Sequence, residues 1–348
     1  MTKVLIAMSG GVDSAVAAYL IKRAGYDAMG ATMKLYCPGK AESAGDEFAD
    51  AAAVAGLVGI GHTVLDFEDI FRSSVVDAFV AEYEDAKTPN PCIICNDTLK
   101  FGKMMEAADS LGAEMLATGH YARIERSADG RYLLRCAADP TKDQSYVLYT
   151  LSQAQLARVL FPLGDYTKAE VREIARELGF VNADKSDSQD ICFIPDGDYA
   201  GFIKQYTGKE YPEGNFINEA GEILGTHRGI IHYTIGQRKG LGIALGRPAF
   251  VCGKDPVANT VTLSDNASLF SDSLFVKKVN FIPLDSLSSP MRVQAKIRYN
   301  MQAQPATIEQ IDDGRVRVIF DQPQRAITPG QSAVFYDGEY VVGGGIIE

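Results

Sequence analysis

The stretch that most constrains this chain is Ser9-Gly10-Gly11-Val12-Asp13-Ser14, set between an apolar run, Val4–Met8, and a helix-like run, Ala15–Ala24. Adjacent glycines let the backbone turn tightly and approach a ligand. The free N–H groups and positive dipole end of a helix that starts directly afterwards favour a phosphate oxyanion. Ser9 and Ser14 add hydroxyl donors, and Asp13 is a candidate Mg2+ ligand among phosphate oxygens. No Gly-Lys-Ser/Thr comes after it, so this is not the phosphate loop of the P-loop nucleotidases. The plainer alternative is an ordinary strand-turn-helix with a Gly-Gly bend.

The strand-then-helix pattern recurs beyond the loop. Strand-like runs at 28–33, 63–67 and 115–117 alternate with helical runs at about 46–58, 70–83 and 97–111. Within 70–83, Ile70, Val75, Phe79 and Tyr83 recur at helical spacing. Such alternation predicts an α/β doubly wound parallel sheet with ligands at the strand C-termini, where Met8-Ser9 and Thr118-Gly119-His120 fall. Runs 121–125 and 131–136, joined by Ser127-Ala128-Asp129-Gly130, read as a hairpin. Thr167-Lys168-Ala169-Glu170 is a capping box, and Gly179 closes its helix. Gly and Pro are frequent from Pro195 to about Gly246. From about Phe250 short strands at 260–263, 275–279, 292–299, 315–320 and 333–336 suggest a small β-barrel. The organisation expected is residues 1–200 for the α/β domain, 201–250 for a small central domain and 251–348 for a C-terminal β-barrel.

The chain has 348 residues and no apolar run near the ~20 needed to span a bilayer. No leader-like segment precedes the first strand, so a cytoplasmic location is expected. Net charge is −11, concentrated in residues 1–200, where 19 Lys and Arg face 30 Asp and Glu; residues 201–348 hold 15 of each. A polyanion would therefore lean on the C-terminal half, where Arg228, Arg238, Lys239, Arg247, Lys277, Lys278, Lys296 and Arg298 lie.

Six cysteines are too few for a disulfide scaffold. Cys92 and Cys95 lie in Thr88-Pro89-Asn90-Pro91-Cys92-Ile93-Ile94-Cys95-Asn96, with two prolines fixing an extended loop. Cys95 is expected at a helix start, with Asn96 or Asp97 as N-cap and a lowered, thiolate-favouring pKa. The Cys-x-x-Cys spacing also suits a redox pair or half of a zinc site. Cys192 lies between Ile191 and Phe193 and reads equally as a core thiol or as the partner of Cys95. Cys37, Cys136 and Cys252 read as structural or incidental.

Ser9–Ser14 resembles the pyrophosphate loop of the PP-loop ATP pyrophosphatases, which split ATP into AMP and pyrophosphate to adenylate a carbonyl oxygen. Five further motifs come after it in order: Asn90–Asn96 with Lys100-Phe101, Thr118–Arg123, Ser188–Ile194, Tyr233–Gly242 and Pro329-Gly330-Gln331. The ordered set resembles the bacterial tRNA-specific 2-thiouridylase family over essentially the whole chain. The resemblance implies an N-type ATP pyrophosphatase domain and an ATP- and Mg2+-dependent sulfurtransferase. It would adenylate the C2 oxygen of the wobble uridine (position 34) of tRNA and replace it with persulfide sulfur, yielding 2-thiouridine. Expected partners are tRNAs for Lys, Glu and Gln, and a cysteine desulfurase or sulfur-relay protein.

By matching positions, Ala7, Met8, Ser9, Gly10, Gly11, Val12, Asp13, Ser14, Met33 and Gly119 would bind ATP. Asn90, Pro91 and Cys92 would hold the target base. His120, Lys142, Asp143, Gln144, Arg298, Tyr299 and Gln331 would contact tRNA. Cys192 would carry the persulfide and Cys95 would attack it as nucleophile, freeing hydrosulfide or leaving a Cys95–Cys192 disulfide. Cys92 stands where many relatives have Asp. It would form an off-pathway disulfide with Cys95, or Cys92, Cys95 and Cys192 would together hold a [4Fe-4S] cluster. Two other readings stay open: a different PP-loop adenylating ligase, and a non-catalytic tRNA-binding or sulfur-carrier module.

Overall fold

The structure is a computed structural model describing residues 1–38, 44–185, 191–312 and 314–348, the side chains of 44–46 excepted. Val4, Leu5 and Ile6 of β1 (Lys3–Ala7) are all fully buried. A strand buried on both faces needs cover on both. β1 runs parallel to β2 (Asp27–Lys34), which pairs with β3 (Gly61–Asp66); on its other side lies β4 (Met115–Ala117). The chain then forms the hairpin β5 (Arg123–Arg126) and β6 (Tyr132–Arg135), and β7 (Val159–Leu160) rejoins the sheet beyond β4. The order is β3-β2-β1-β4-β7. Val4 and Ile6 face α1 (Val12–Arg23), α2 (Ala44–Val58) and the helix Lys168–Glu177. Leu5 faces the helical run that ends at Ser110. The expected doubly wound sheet is present, and β1 and β4 flank the point where strand order reverses, the place such sheets bind ligands.

The central unit holds the helix Tyr199–Thr207 and a sheet of β8 (Gly214–Ile217), β9 (Ile223–His227), β10 (Phe250–Asp255) and β11 (Thr260–Ser264), ordered β10-β11-β8-β9. The sequence places β10 and β11 in the barrel. They belong here because β11 pairs parallel with β8, burying Val261 beside Phe216 in a core with Tyr233 and Val251.

Among the described residues six antiparallel strands form the barrel: β12 (Phe270–Phe281), β13 (Met291–Lys296), β14 (Gln304–Asp312), β15 (Arg315–Arg325), β16 (Ser332–Asp337) and β17 (Tyr340–Ile347). Pairing of β12 with β17 closes it. The hairpin extends this same sheet: Tyr340 of β17 sits opposite Arg135 of β6, and Arg135 pairs with Glu339 at 2.5 Å. The N-terminal unit and the barrel are thus joined through backbone pairing. Among the described residues no helix is long and apolar enough to cross a membrane.

Candidate functional site

The loop after β1 has the geometry its glycines imply. Gly10 adopts φ +71°, and a Cβ there would meet the Glu47 carbonyl oxygen at 2.5 Å. The Ser14 hydroxyl donates to the Gly11 carbonyl at 3.0 Å and accepts from the Ser9 amide at 3.1 Å, locking the turn. No side chain caps α1 at Gly11, so the first-turn amides face outward for an anion. From the end of β4, Gly119 presses on the loop: a Cβ there would lie 2.9 Å from the Ser14 nitrogen. Ala7 is opposite Ala31, which sets Met33 at the same C-terminal sheet edge. The nucleotide residues named from the sequence are therefore brought together.

Three further side chains belong to this loop. The Lys168 ammonium donates to both carboxylate oxygens of Asp13, at 2.7 and 2.8 Å, and the Tyr121 hydroxyl donates to one of them at 2.7 Å. Lys168 reaches there because the Thr167–Glu170 capping box starts its helix beside the loop. Buried Asn182 donates to the Gly10 carbonyl at 3.0 Å, while its own side-chain oxygen has no partner among the described residues. In the sequence Lys168 stands out only as part of a cap and Asn182 not at all; a lysine at the second position of a capping box is the available signal. Asp13 is held in an ion pair with Lys168, so a Mg2+ bound there would have to share its carboxylate with that ammonium.

The second cluster departs from expectation. The helix starts at Pro91, not at Asn96: Asn90 is the N-cap and accepts from the Cys92 amide at 3.1 Å. Proline at the first position suits a helix start, since its missing N–H costs nothing there. Cys95 is therefore a full turn inside, at 9% exposure, and burial pushes its pKa up to about 11. The expected lowering at a helix N-terminus does not occur. The helix continues as a π-helix, Asn96–Lys103. In an α-helix residue i+5 stands about 140° round from residue i; the wider π turn rotates Lys100 back toward the face of Cys95. Lys100 is near enough to lower the pKa of both Cys95 and Cys192, though burial outweighs it at each.

Cys192 comes to the same place through a shared core. Phe193 and Ile194 are buried with Cys95 and Leu99, and Phe193 packs edge-on against Phe71 and Phe79 at 5.7 and 5.5 Å. The Cys192 side chain is open to solvent at the mouth of this packing. The surrounding protein, and next the Cys95 and Cys92 thiols, still push its pKa up to about 12. Ser188, Gln189 and Asp190 of its motif lie outside the described residues.

The expected tRNA-contacting residues divide. Tyr299 is exposed, its hydroxyl donates to the Asp143 carbonyl at 3.3 Å, and Cys92 is among the groups raising its pKa. Lys296 lies over the Tyr146 and Tyr299 rings, at 5.6 and 5.5 Å. Tyr299 thus touches Asp143 and lies within electrostatic reach of Cys92. Others are engaged within the protein. Asp143 holds the Ala137 amide and the Ser145 hydroxyl; Gln144 holds the Tyr121 amide. Arg298 donates to the Ala326 carbonyl and to Thr328, and Gln331 donates to the Thr88 carbonyl at 2.7 Å. His120 is buried at 6% exposure between Phe101 and Phe161, so it does not face a tRNA. Its Nδ1 bonds to Thr118 at 2.7 Å and its Nε2 lies 3.5 Å from the Lys100 ammonium. Burial, and then that cation, hold its pKa well below the usual range, so the ring is neutral.

Three family profiles match in succession: a tRNA methyl transferase HUP domain over residues 2–196, a PRC-barrel domain over 200–265 and an aminomethyltransferase β-barrel domain over 271–347. The tRNA-specific 2-thiouridylase MnmA of Clostridioides difficile (strain 630) is 51% identical over 353 residues, covering 99% of this chain and 98% of that one. The protein of the same name from Clostridium acetobutylicum is 52% identical, covering 99% of each. The chain belongs to the tRNA-specific 2-thiouridylase family. A solved U34-tRNA thiolase NcsA from Methanococcus maripaludis with its [4Fe-4S] cluster is far more distant, at 18% identity and TM-score 0.34, over 60% of this chain and 68% of that one. That likeness carries nothing for the site.

In this 2-thiouridylase family member the cluster reading meets a geometric objection of its own. Among the described residues no three His, Cys, Asp or Glu side chains are placed to hold a metal ion, Cys92, Cys95 and Cys192 included. As placed, the three thiols are neighbours and not a ligand set. Lys100 enters the sequence reading only within a family motif, and its relation to the Cys95 thiol comes from the structure. Its spacing from Cys95 is uninformative in an α-helix and meaningful only in a π-helix.

Proposed function

We propose that this chain, an ATP-dependent sulfurtransferase of the 2-thiouridylase family, adenylates the C2 oxygen of the wobble uridine in tRNA and then replaces it with sulfur carried as a persulfide on Cys192. The observation that carries the reading is that Phe193 and Ile194 join the core that buries Cys95, which sets Cys192, from 97 positions away, within electrostatic reach of both Cys95 and Lys100. An adenylating ligase that uses ammonia has no need of that arrangement.

The division of labour comes from the chemistry. A urea-like carbonyl oxygen leaves poorly, whereas AMP leaves well. The amides of Gly11–Ser14 hold the departing pyrophosphate, and Lys168 is the cation beside them. Gly119 gives the nucleotide backbone-close access to the α1 N-terminus. Asn90–Cys92 and Tyr299 border the position of the target base, which has to leave the anticodon stack to reach the activated phosphate. Cys95 attacks the Cys192 persulfide, and Lys100 compensates the thiolate charge as it develops. That attack falls on the Cys192 sulfur and forms the Cys95–Cys192 disulfide, releasing the outer sulfur either as hydrosulfide, which then displaces AMP at C2, or as the thiocarbonyl itself where the persulfide has already bonded to C2 and AMP has left. The tRNAs are those for Lys, Glu and Gln, the sulfur source is a cysteine desulfurase or a relay protein, and the work is cytoplasmic.

The test combines unmodified tRNA, ATP, Mg2+ and a persulfide source, with thiouridine read by retardation on a mercury-containing gel. The wild type shifts the tRNA. Cys95→Ser and Cys192→Ser do not, yet both retain ATP–pyrophosphate exchange. Full thiolation by either variant refutes the two-cysteine mechanism, and loss of exchange in neither Lys168→Met nor Gly119→Ala refutes the nucleotide site.

A further inference from the structure

Cys37 has no part in the reaction described above, yet it is fixed beside the residue that carries the sulfur. Its thiol donates to the backbone carbonyl of Cys192 at 3.3 Å, across 155 positions of sequence. Both segments are pinned to one core. Leu35 and Tyr36 pack on the cluster that buries Phe193 and Ile194, and Arg72 covers the Tyr36 ring at 4.5 Å. Cys37 is also close enough to be among the groups that disfavour charge on the Cys192 thiol.

The three sulfurs differ in access. Cys95 is buried, Cys37 is half-exposed and Cys192 is exposed. A disulfide between Cys95 and Cys192 has its Cys95 sulfur shielded by the core, whereas one between Cys37 and Cys192 lies at the surface. Exchange rates depend on which sulfur is reached and on which thiol leaves.

We propose that Cys37 is a resolving thiol that moves the catalytic disulfide from the core to the surface. The inference rests on the reading that Cys192 carries sulfur and Cys95 attacks it. Once transfer has left a Cys95–Cys192 disulfide, the Cys37 thiolate attacks the Cys192 sulfur. A Cys37–Cys192 bond forms, the Cys95–Cys192 bond breaks, and the electron pair leaves on Cys95, which takes up a proton equivalent to the one Cys37 lost. One disulfide is exchanged for one disulfide, so no oxidant is consumed. A dithiol reductant from outside then returns Cys37 and Cys192 to thiols, leaving Cys95 already reset.

The test uses the full-length protein with persulfide generated on it by stoichiometric polysulfide, tRNA, ATP and Mg2+. After one turnover the mixture is quenched in acid with N-ethylmaleimide and digested without reduction for mass spectrometry. Wild type is expected to yield mainly the Cys37–Cys192 linked peptide, and Cys37→Ser the Cys95–Cys192 peptide. Thiouridine from the first turnover should agree between the two within about twofold. With thioredoxin as reductant, later turnovers of Cys37→Ser should slow at least about fivefold and recover with a small phosphine that reaches the buried bond. Wild type that stays in the Cys95–Cys192 form, or Cys37→Ser that cycles with thioredoxin at the wild-type rate, overturns the proposal while leaving the two-cysteine mechanism intact. Absence of thiouridine from both proteins overturns that mechanism and this proposal with it.

Discussion

Cys95 should behave as a sluggish thiol in the resting protein, and the deficit is calculable. Its pKa of about 11 is set first by burial and only partly offset by Lys100. At pH 8 such a thiol is one part in about a thousand thiolate, against roughly a quarter for an ordinary cysteine near 8.5. Thiolate supply alone therefore predicts alkylation by iodoacetamide about 200-fold slower than for a cysteine in a denatured peptide. The rate should climb close to tenfold per pH unit from pH 7 to pH 10. Lys100→Met removes the cation that opposes burial and should slow Cys95 several-fold more at every pH below 10, without changing the slope. The assay is timed alkylation of the native protein, quenched and digested, with the Cys95 peptide quantified by mass spectrometry. A rate that levels off below pH 8 would mean that the helix dipole outweighs burial. The reasoning from the Asn90 cap and the interior place of Cys95 would then be wrong.

Gly119→Ala should destabilise the protein by about 1–3 kcal/mol, the usual cost of overpacking. The added methyl lands 2.9 Å from backbone atoms of Asp13 and Ser14; thermal denaturation and ATP–pyrophosphate exchange should both report it. His120 makes the native state acid-sensitive. Its folded pKa is depressed by burial, so the unfolded chain binds the extra proton, and stability is lost as pH falls below about 6.5, at up to about 1.4 kcal/mol per unit. Urea melts of wild type and His120→Gln between pH 7 and 5 should diverge in slope by that amount. Gln331→Ala removes the hydrogen bond to the Thr88 carbonyl, worth about 1 kcal/mol. It should slow thiolation severalfold while leaving tRNA affinity, measured by filter binding, within about twofold of wild type.

The nucleotide half of the site was legible because its residues are local. Ser9–Ser14 is one turn, the alternating runs name a parallel sheet, and the strand ends then bring Met33 and Gly119 to it. The sulfur half was legible only as a set of cysteines. Pro91 read as part of an extended loop, although a proline at the first helical position is also a start signal, and choosing wrongly displaced Cys95 by one turn. The relation of Lys100 to Cys95 depends on a π-helix, for which periodicity gives no sign. Lys168 and Asn182 reach the loop across 155 and 172 positions, a separation at which only packing decides. For Gln331 and His120, polar side chains beside a functional motif read as ligand contacts; in the structure Gln331 bonds to the Thr88 carbonyl and His120 is buried. The strands of 250–264 read as barrel strands because short β-runs carry no mark of which sheet they join.

One consequence of the barrel concerns the order in which the protein comes into being. Pro329 accepts a hydrogen bond from the Thr88 amide at 2.9 Å, Gln331 takes the Thr88 carbonyl, and Gly330 lies against Lys87 and Thr88. The segment that launches the Cys92–Cys95 helix is thus gripped by a residue translated 243 codons after Thr88. Val334, Tyr336 and Val341 of the barrel also share the core that covers Leu5 of β1. Packing of the parallel sheet and placement of the Cys92–Cys95 helix would then both be completed only when the last barrel strands emerge, and a chain cut short before residue 329 would be left without either.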